Sequence, residues 1–175
     1  MIHMPPDRPK RILIVDDDDA TRAITQAIIQ AVGHEVETAS DGIEALAKLG
    51  LGIDLVLLDV VMPGLDGFEV CRRIRRDPAV CDIPVIVLTS MDSRDDRLRA
   101  VEAGASDFIG KPVDETEFRI RSASLLKLKE TQDSLKSHQA HLEQLVRQRT
   151  ASLRVALEQM ADAQQIGRAS WRERV

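Results

Sequence analysis

Aromatic side chains are nearly missing from these 175 residues: three Phe, one Trp and no Tyr. The core must therefore be aliphatic, and there is little on which bases or sugars could stack. Cysteine is scarce too. Cys71 and Cys81 stand alone, with no CxxC pair and no Cys/His cluster. That spacing offers no zinc site or disulfide framework and reads as two reduced thiols of a cytosolic protein. No signal peptide or membrane-length apolar run is present, so a soluble intracellular chain is expected. Positive charge is not in excess. The formal net charge is -5, which argues against a nucleic-acid partner. Residues 1–112 hold 13 basic and 20 acidic side chains, a net of -7, while residues 113–165 hold 8 of each. An acidic N-terminal domain suits cations better than anions.

What is present is an alternation of short apolar runs and amphipathic stretches. After a polar lead-in over 1–10, expected to be flexible, Arg11-Ile-Leu-Ile-Val15 reads as a strand buried on both faces. Four aspartates, Asp16 to Asp19, follow at once. Asp19 or a neighbour can cap a helix to Val32, with Ile24, Ala27, Ile28 and Ala31 inward and Gly33 as its stop. His34 to Thr38 predicts a strand, and Asp41 to Leu49 a helix burying Ile43, Leu46 and Ala47. Leu55 to Leu58 is a second fully apolar strand, ending at Asp59. Residues 62–67, Met-Pro-Gly-Leu-Asp-Gly, are a loop on composition. A helix over 68–76, a third apolar strand over 84–88, a helix over 95–103 closed by Gly104 and a short strand over 107–109 complete the pattern. Five strands alternating with helices predict an α/β fold, a doubly wound five-stranded parallel sheet. The functional crevice of such a sheet lies beyond the carboxyl ends of its strands. That rule selects Asp16, Asp17, Asp59, Thr89, Ser90 and Lys111.

Three carboxylates at one sheet edge repel one another unless neutralised. An all-oxygen set with no His or Cys nearby calls for a hard divalent cation such as Mg²⁺, which binds few carboxylates and keeps positions for phosphoryl oxygens. Lys111 supplies a point charge and Thr89 a hydroxyl for such oxygens. Asp59 is then the natural nucleophile, forming an aspartyl phosphate.

Val15-Asp16-Asp17, Leu58-Asp59 with Met62-Pro63-Gly64 and Asp66-Gly67, Leu88-Thr89-Ser90, and Gly104-Ala105 through Lys111-Pro112 resemble the two-component receiver family over residues 11–122. The resemblance implies a flavodoxin-like sheet of order 2-1-3-4-5. It makes Asp59 the phosphoacceptor for a sensor histidine kinase or phosphotransfer protein. Asp17 would bind Mg²⁺ directly, Asp16 through water, and the Val61 backbone carbonyl would be a further ligand. Thr89 and Lys111 would hold phosphoryl oxygens, and Thr89 and Phe108 would form the two-state switch. Positions that orient the attacking water in this family are Val61 and Met91 here. Both are apolar, which predicts a long-lived aspartyl phosphate.

From Asp114 to Gln165 there is no Gly and no Pro. One heptad seam runs through Phe118, Leu125, Gln132, Gln139, Val146, Leu153 and Met160, the other through Arg121, Leu128, Leu135, Leu142, Arg149 and Ala156. Residues 123–165 thus resemble a parallel signalling coiled coil that extends the last receiver helix and makes a homodimer. The stretch 142–150 resembles linkers to output modules. Residues 166–175 break the repeat and resemble a translated sequencing adapter, so a non-native tail and a missing output domain are expected.

Two other classes compete. A Mg²⁺-dependent phosphohydrolase would need a second Asp at position 61, where Val stands. A scaffold with a vestigial site would not need the intact carboxylate, hydroxyl and lysine set.

Overall fold

The structure is a computed structural model describing residues 9–90 and 94–172. Its elements are β1 (Arg11–Val15), α1 (Asp19–Val32), β2 (Glu35–Ala39), α2 (Gly42–Lys48), β3 (Leu55–Asp59), α3 (Gly67–Arg76), β4 (Val85–Thr89), α4 (Arg94–Glu102), β5 (Asp107–Gly110) and α5 (Glu115–Arg172). A 3-10 turn, Leu49–Leu51, follows α2. The strands pair in parallel in the order β2-β1-β3-β4-β5, as expected.

Strand alternation explains why β1, β3 and β4 are apolar apart from their end residues Arg11, Asp59 and Thr89. Successive side chains point to opposite faces, and both faces are covered by helices. Leu13, Val56, Leu58 and Val87 face one way, against Phe68 and Ile74 of α3 and Ala45 of α2. Ile12, Ile14, Leu57 and Ile86 face the other way, against Ile29 of α1 and Phe118 of α5. The two cores are almost wholly aliphatic, as the composition requires.

Several expectations are corrected in phase rather than in kind. Of the candidates, Asp19 and its neighbours, Asp18 caps α1, accepting from the N–H groups of Ala20 and Thr21. The buried stripe of α1 is Thr25, Ile29 and Val32; Ile28 packs beside it as expected, whereas Ile24 is 62% exposed. Alanines on both sides of Ile28 make the apolar face wide enough to permit either rotation. On α2 the buried residues are Gly42 and Ala45, followed by Leu49, and Leu46 packs against the core as expected, while Ile43 is 74% exposed. Gly42 decides this rotation. A Cβ there would lie 2.5 Å from Val70 Cγ2, so the helix approaches α3 through its smallest residue. Strands β2 and β4 each begin one residue later than expected.

Residues 1–8 lie outside the described residues, but Lys10 is buried. Its backbone N–H faces His34 Nδ1 at 3.4 Å and its ammonium pairs with Glu130. Two compact units divide at Glu130 and Thr131. In the first, Phe118 and Leu126 of α5 are buried and Leu125 packs beside them. Phe118 and Leu125, both positions of the heptad seam, therefore serve the domain core, together with the off-seam Leu126. In the second, every side chain from Thr131 to Ile166 is exposed. Helix continues past Gln165 to Arg172, beyond the expected end of the regular repeat. Among the described residues, no helix is long and apolar enough to cross a membrane.

Candidate functional site

Parallel register brings the selected residues to one end of the sheet. Val15 pairs with Leu58 and Asp59 with Leu88, so Asp16 and Asp59 emerge beside each other. Thr89 pairs with Gly110, and the Lys111 N–H donates to the Thr89 carbonyl at 2.9 Å. Lys111 thereby enters from the strand beyond Thr89.

Carboxylate oxygens of Asp16, Asp17 and Asp59 lie within 4.8 Å of one another. Lys111 Nζ donates to Asp16 Oδ2 and Asp59 Oδ2, each at 2.8 Å. Asp16 is only 1% exposed, and its other oxygen accepts from the Asp18 N–H at 2.9 Å. The second Asp59 oxygen accepts from the Val61 N–H at 3.3 Å. Asp17 is exposed, and its carboxylate has no hydrogen-bond or ionic partner among the described residues.

Burial pushes the Asp59 carboxyl up, and the neighbouring Lys111 only partly offsets this. For Lys111, burial works against the charged form, but the hydrogen bonds to Asp16 and Asp59 prevail and its pKa is raised. With all four groups charged, three carboxylates and one ammonium leave two negative charges in the crevice. A hard divalent cation would neutralise that remainder, and the oxygen-only donor set fits Mg²⁺.

The other predicted residues are placed as follows. Thr89 is buried at the end of β4. Val61 lies two residues past β3 with its side chain 77% exposed to the crevice loop's solvent. Phe108 is half-buried on β5. The Arg97 guanidinium lies 5.3 Å and that of Arg121 5.7 Å from its ring centre. Met91 lies outside the described residues.

Two neighbours, Gly67 and Arg22, were given no role at the site by the sequence reading. Gly67 opens α3 directly beneath Asp59; a Cβ there would fall 2.1 Å from the Asp59 carbonyl oxygen. Its N–H also donates to the Val60 carbonyl at 3.0 Å. The Asp66-Gly67 pair was a usable signal, a cap followed by a glycine with no room for a side chain. Arg22 donates to the Asp16 carbonyl at 2.7 Å, a contact with no local sequence signature.

Fold and site together define a doubly wound α/β domain with a lysine-bridged acidic crevice. Residues 12–122 match the family model described as response regulator receiver domain, and the chain belongs to that family. It is 44% identical over 131 residues to the response regulator PleD of Caulobacter vibrioides, covering 74% of this chain and 29% of that protein. It is 40% identical over 118 residues to the DNA-binding dual master transcriptional regulator RpaA of a Synechocystis species, covering 67% of this chain and 49% of that one. The chain thus spans half or less of the length of these relatives. A CheY-like receiver domain protein from Methanospirillum hungatei superposes with a TM-score of 0.64 at 31% identity, over 71% of this chain and 98% of that one. The receiver domain of a Pseudomonas aeruginosa sensor histidine kinase, with a magnesium ion coordinated in its active-site cleft, gives 0.64 at 28% identity, over 68% of this chain and 98% of that one.

Proposed function

We propose that this chain is a Mg²⁺-dependent phosphorylatable switch that takes its phosphoryl group on Asp59 and passes the change to α5. The observation that carries this reading is the Lys111 ammonium held between Asp16 and Asp59 at 2.8 Å, with Asp17 unengaged beside them. A carboxylate oxygen of Asp59 attacks the phosphorus of a phosphohistidine on a sensor kinase or phosphotransfer protein. The new O–P bond forms as the N–P bond breaks, and the electron pair returns to the imidazole, which takes a proton from water. Lys111 then moves its contact from Asp59 to a phosphoryl oxygen, and the Thr89 hydroxyl donates to another. Asp16, Asp17, Asp59 and the Val61 carbonyl would hold Mg²⁺, which would supply the charge that balances the carboxylates and the phosphoryl oxygens. Phe108 reports the shift on the face it shares with Arg97 and Arg121. The setting is the cytoplasm, and α5 joins two copies.

The test is labelling by a small phosphodonor, read on a phosphate-affinity gel. Wild type becomes labelled only with Mg²⁺, chelator abolishes the label, and Asp59→Asn remains unlabelled. Labelling of Asp59→Asn at the wild-type level would defeat the assignment. The Val61 side chain presents no polar atom to a water attacking the acyl phosphate, so the label decays slowly. In the same assay Val61→Asn shortens its lifetime; a parent that decays faster than this variant would overturn the slow reset.

A further inference from the structure

Asp17 lies within reach of the other two carboxylates, yet no side chain or backbone donor among the described residues holds it. Its position must come from the backbone of the β1–α1 loop. Arg22, one turn into α1, brackets that loop. Its Nη1 donates to the Asp16 carbonyl at 2.7 Å, and its Nη2 pairs with the Asp19 carboxylate. Asp17 lies between these two anchors. The Asp16 carbonyl belongs to the same rigid peptide plane as the Asp17 N–H, so fixing one fixes the origin of the Asp17 side chain. A cation beside a cation site is unfavourable unless it does something specific. Arg22 is only 17% exposed, so its charge is not simply solvated.

We infer that Arg22 is a positioning residue for the divalent-cation site, setting the loop geometry that presents Asp17. The inference rests on the reading of Asp16, Asp17 and Asp59 as cation ligands. The planar fork is essential, because two acceptors on different residues are engaged at once. A lysine keeps the charge but not the fork.

Mg²⁺ titration calorimetry on the full chain, paired with thermal unfolding in chelator, tests it. Wild type binds Mg²⁺. Arg22→Met binds about tenfold more weakly, the loss expected when an outer support of a metal site is removed. Arg22→Lys remains as weak, and it carries the test if the methionine variant does not fold. Asp19→Asn, which leaves the carbonyl contact in place, loses less affinity than either. A support for stability alone would lower the unfolding temperature in chelator and leave the Mg²⁺ affinity at its wild-type value. That outcome overturns the inference. Tighter binding by Arg22→Met also overturns it, because Arg22 would then act only as a repelling charge. Absence of Mg²⁺ binding by wild type would instead overturn the cation-site reading beneath it.

Discussion

Arg75 commits its guanidinium to holding chain segments rather than to solvent. It donates to the carbonyls of Gly104 at 2.7 Å, Cys81 at 2.8 Å and Ile83 at 2.7 Å. A fourth contact, 3.1 Å long, reaches Ser106 Oγ, which itself accepts from the Val85 N–H. One side chain on α3 thus ties the loop before β4 to the loop before β5. Hydrogen bonds from a charged donor are stronger than neutral ones, and truncation would leave several carbonyls without a protein donor. Arg75→Ala should therefore destabilise the domain by about 3 kcal/mol. Urea unfolding would register this as a lower midpoint with an unchanged slope. A loss smaller than about 1 kcal/mol would mean that water replaces the guanidinium at those carbonyls. Like Arg22, Arg75 was invisible in the sequence, because a backbone carbonyl leaves no residue-specific trace at the accepting position.

At the level of elements, strands were easier to read than helix faces. A strand buried on both sides carries an unbroken apolar run, so the runs of β1, β3 and β4 could not be shifted onto the wrong face. The site residues were legible for the same reason. Asp16, Asp59 and Thr89 stand where these runs stop, and sheet topology brings the stops together. Helix α1 carried less information, because Ala23, Ala27 and Ala31 fit either a core or a surface position. Packing decided its rotation, with Ile29 fully buried and Ile24 turned outward. Two substitutions of the same chemistry separate these faces. Ile29→Ala should cost about 3 kcal/mol through lost burial and a residual cavity. Ile24→Ala should change stability by less than about 0.5 kcal/mol. A larger loss for Ile24→Ala than for Ile29→Ala in parallel unfolding titrations would show that the stripe expected from the sequence, not the observed one, faces the sheet.

At the scale of the whole molecule, one heptad pattern does two jobs. Phe118 and Leu125 occupy seam positions, but both lie against the receiver core. Further along the same helix, Leu135, Leu142, Val146 and Leu153 are all exposed. Sequence periodicity could not mark the change, since a helix packed on a sheet and a helix in a coil both bury every third or fourth residue. A single helix with this apolar stripe in water gains nothing from it, and isolated helices owe most of their stability in proteins to packing. A second copy of the same stripe would supply that packing. Each leucine withdrawn from water contributes about 1.5–3 kcal/mol, counted once per chain. Leu142→Glu, which alters both copies at once, should thus weaken self-association by about 100-fold or more. Sedimentation equilibrium at tens of micromolar should find wild type dimeric and Leu142→Glu shifted to monomer. Thermal unfolding of the receiver unit should be the same in both, because Leu142 belongs to the second compact unit and is exposed in one chain. A monomeric wild type at that concentration would rule out α5 as the joining element.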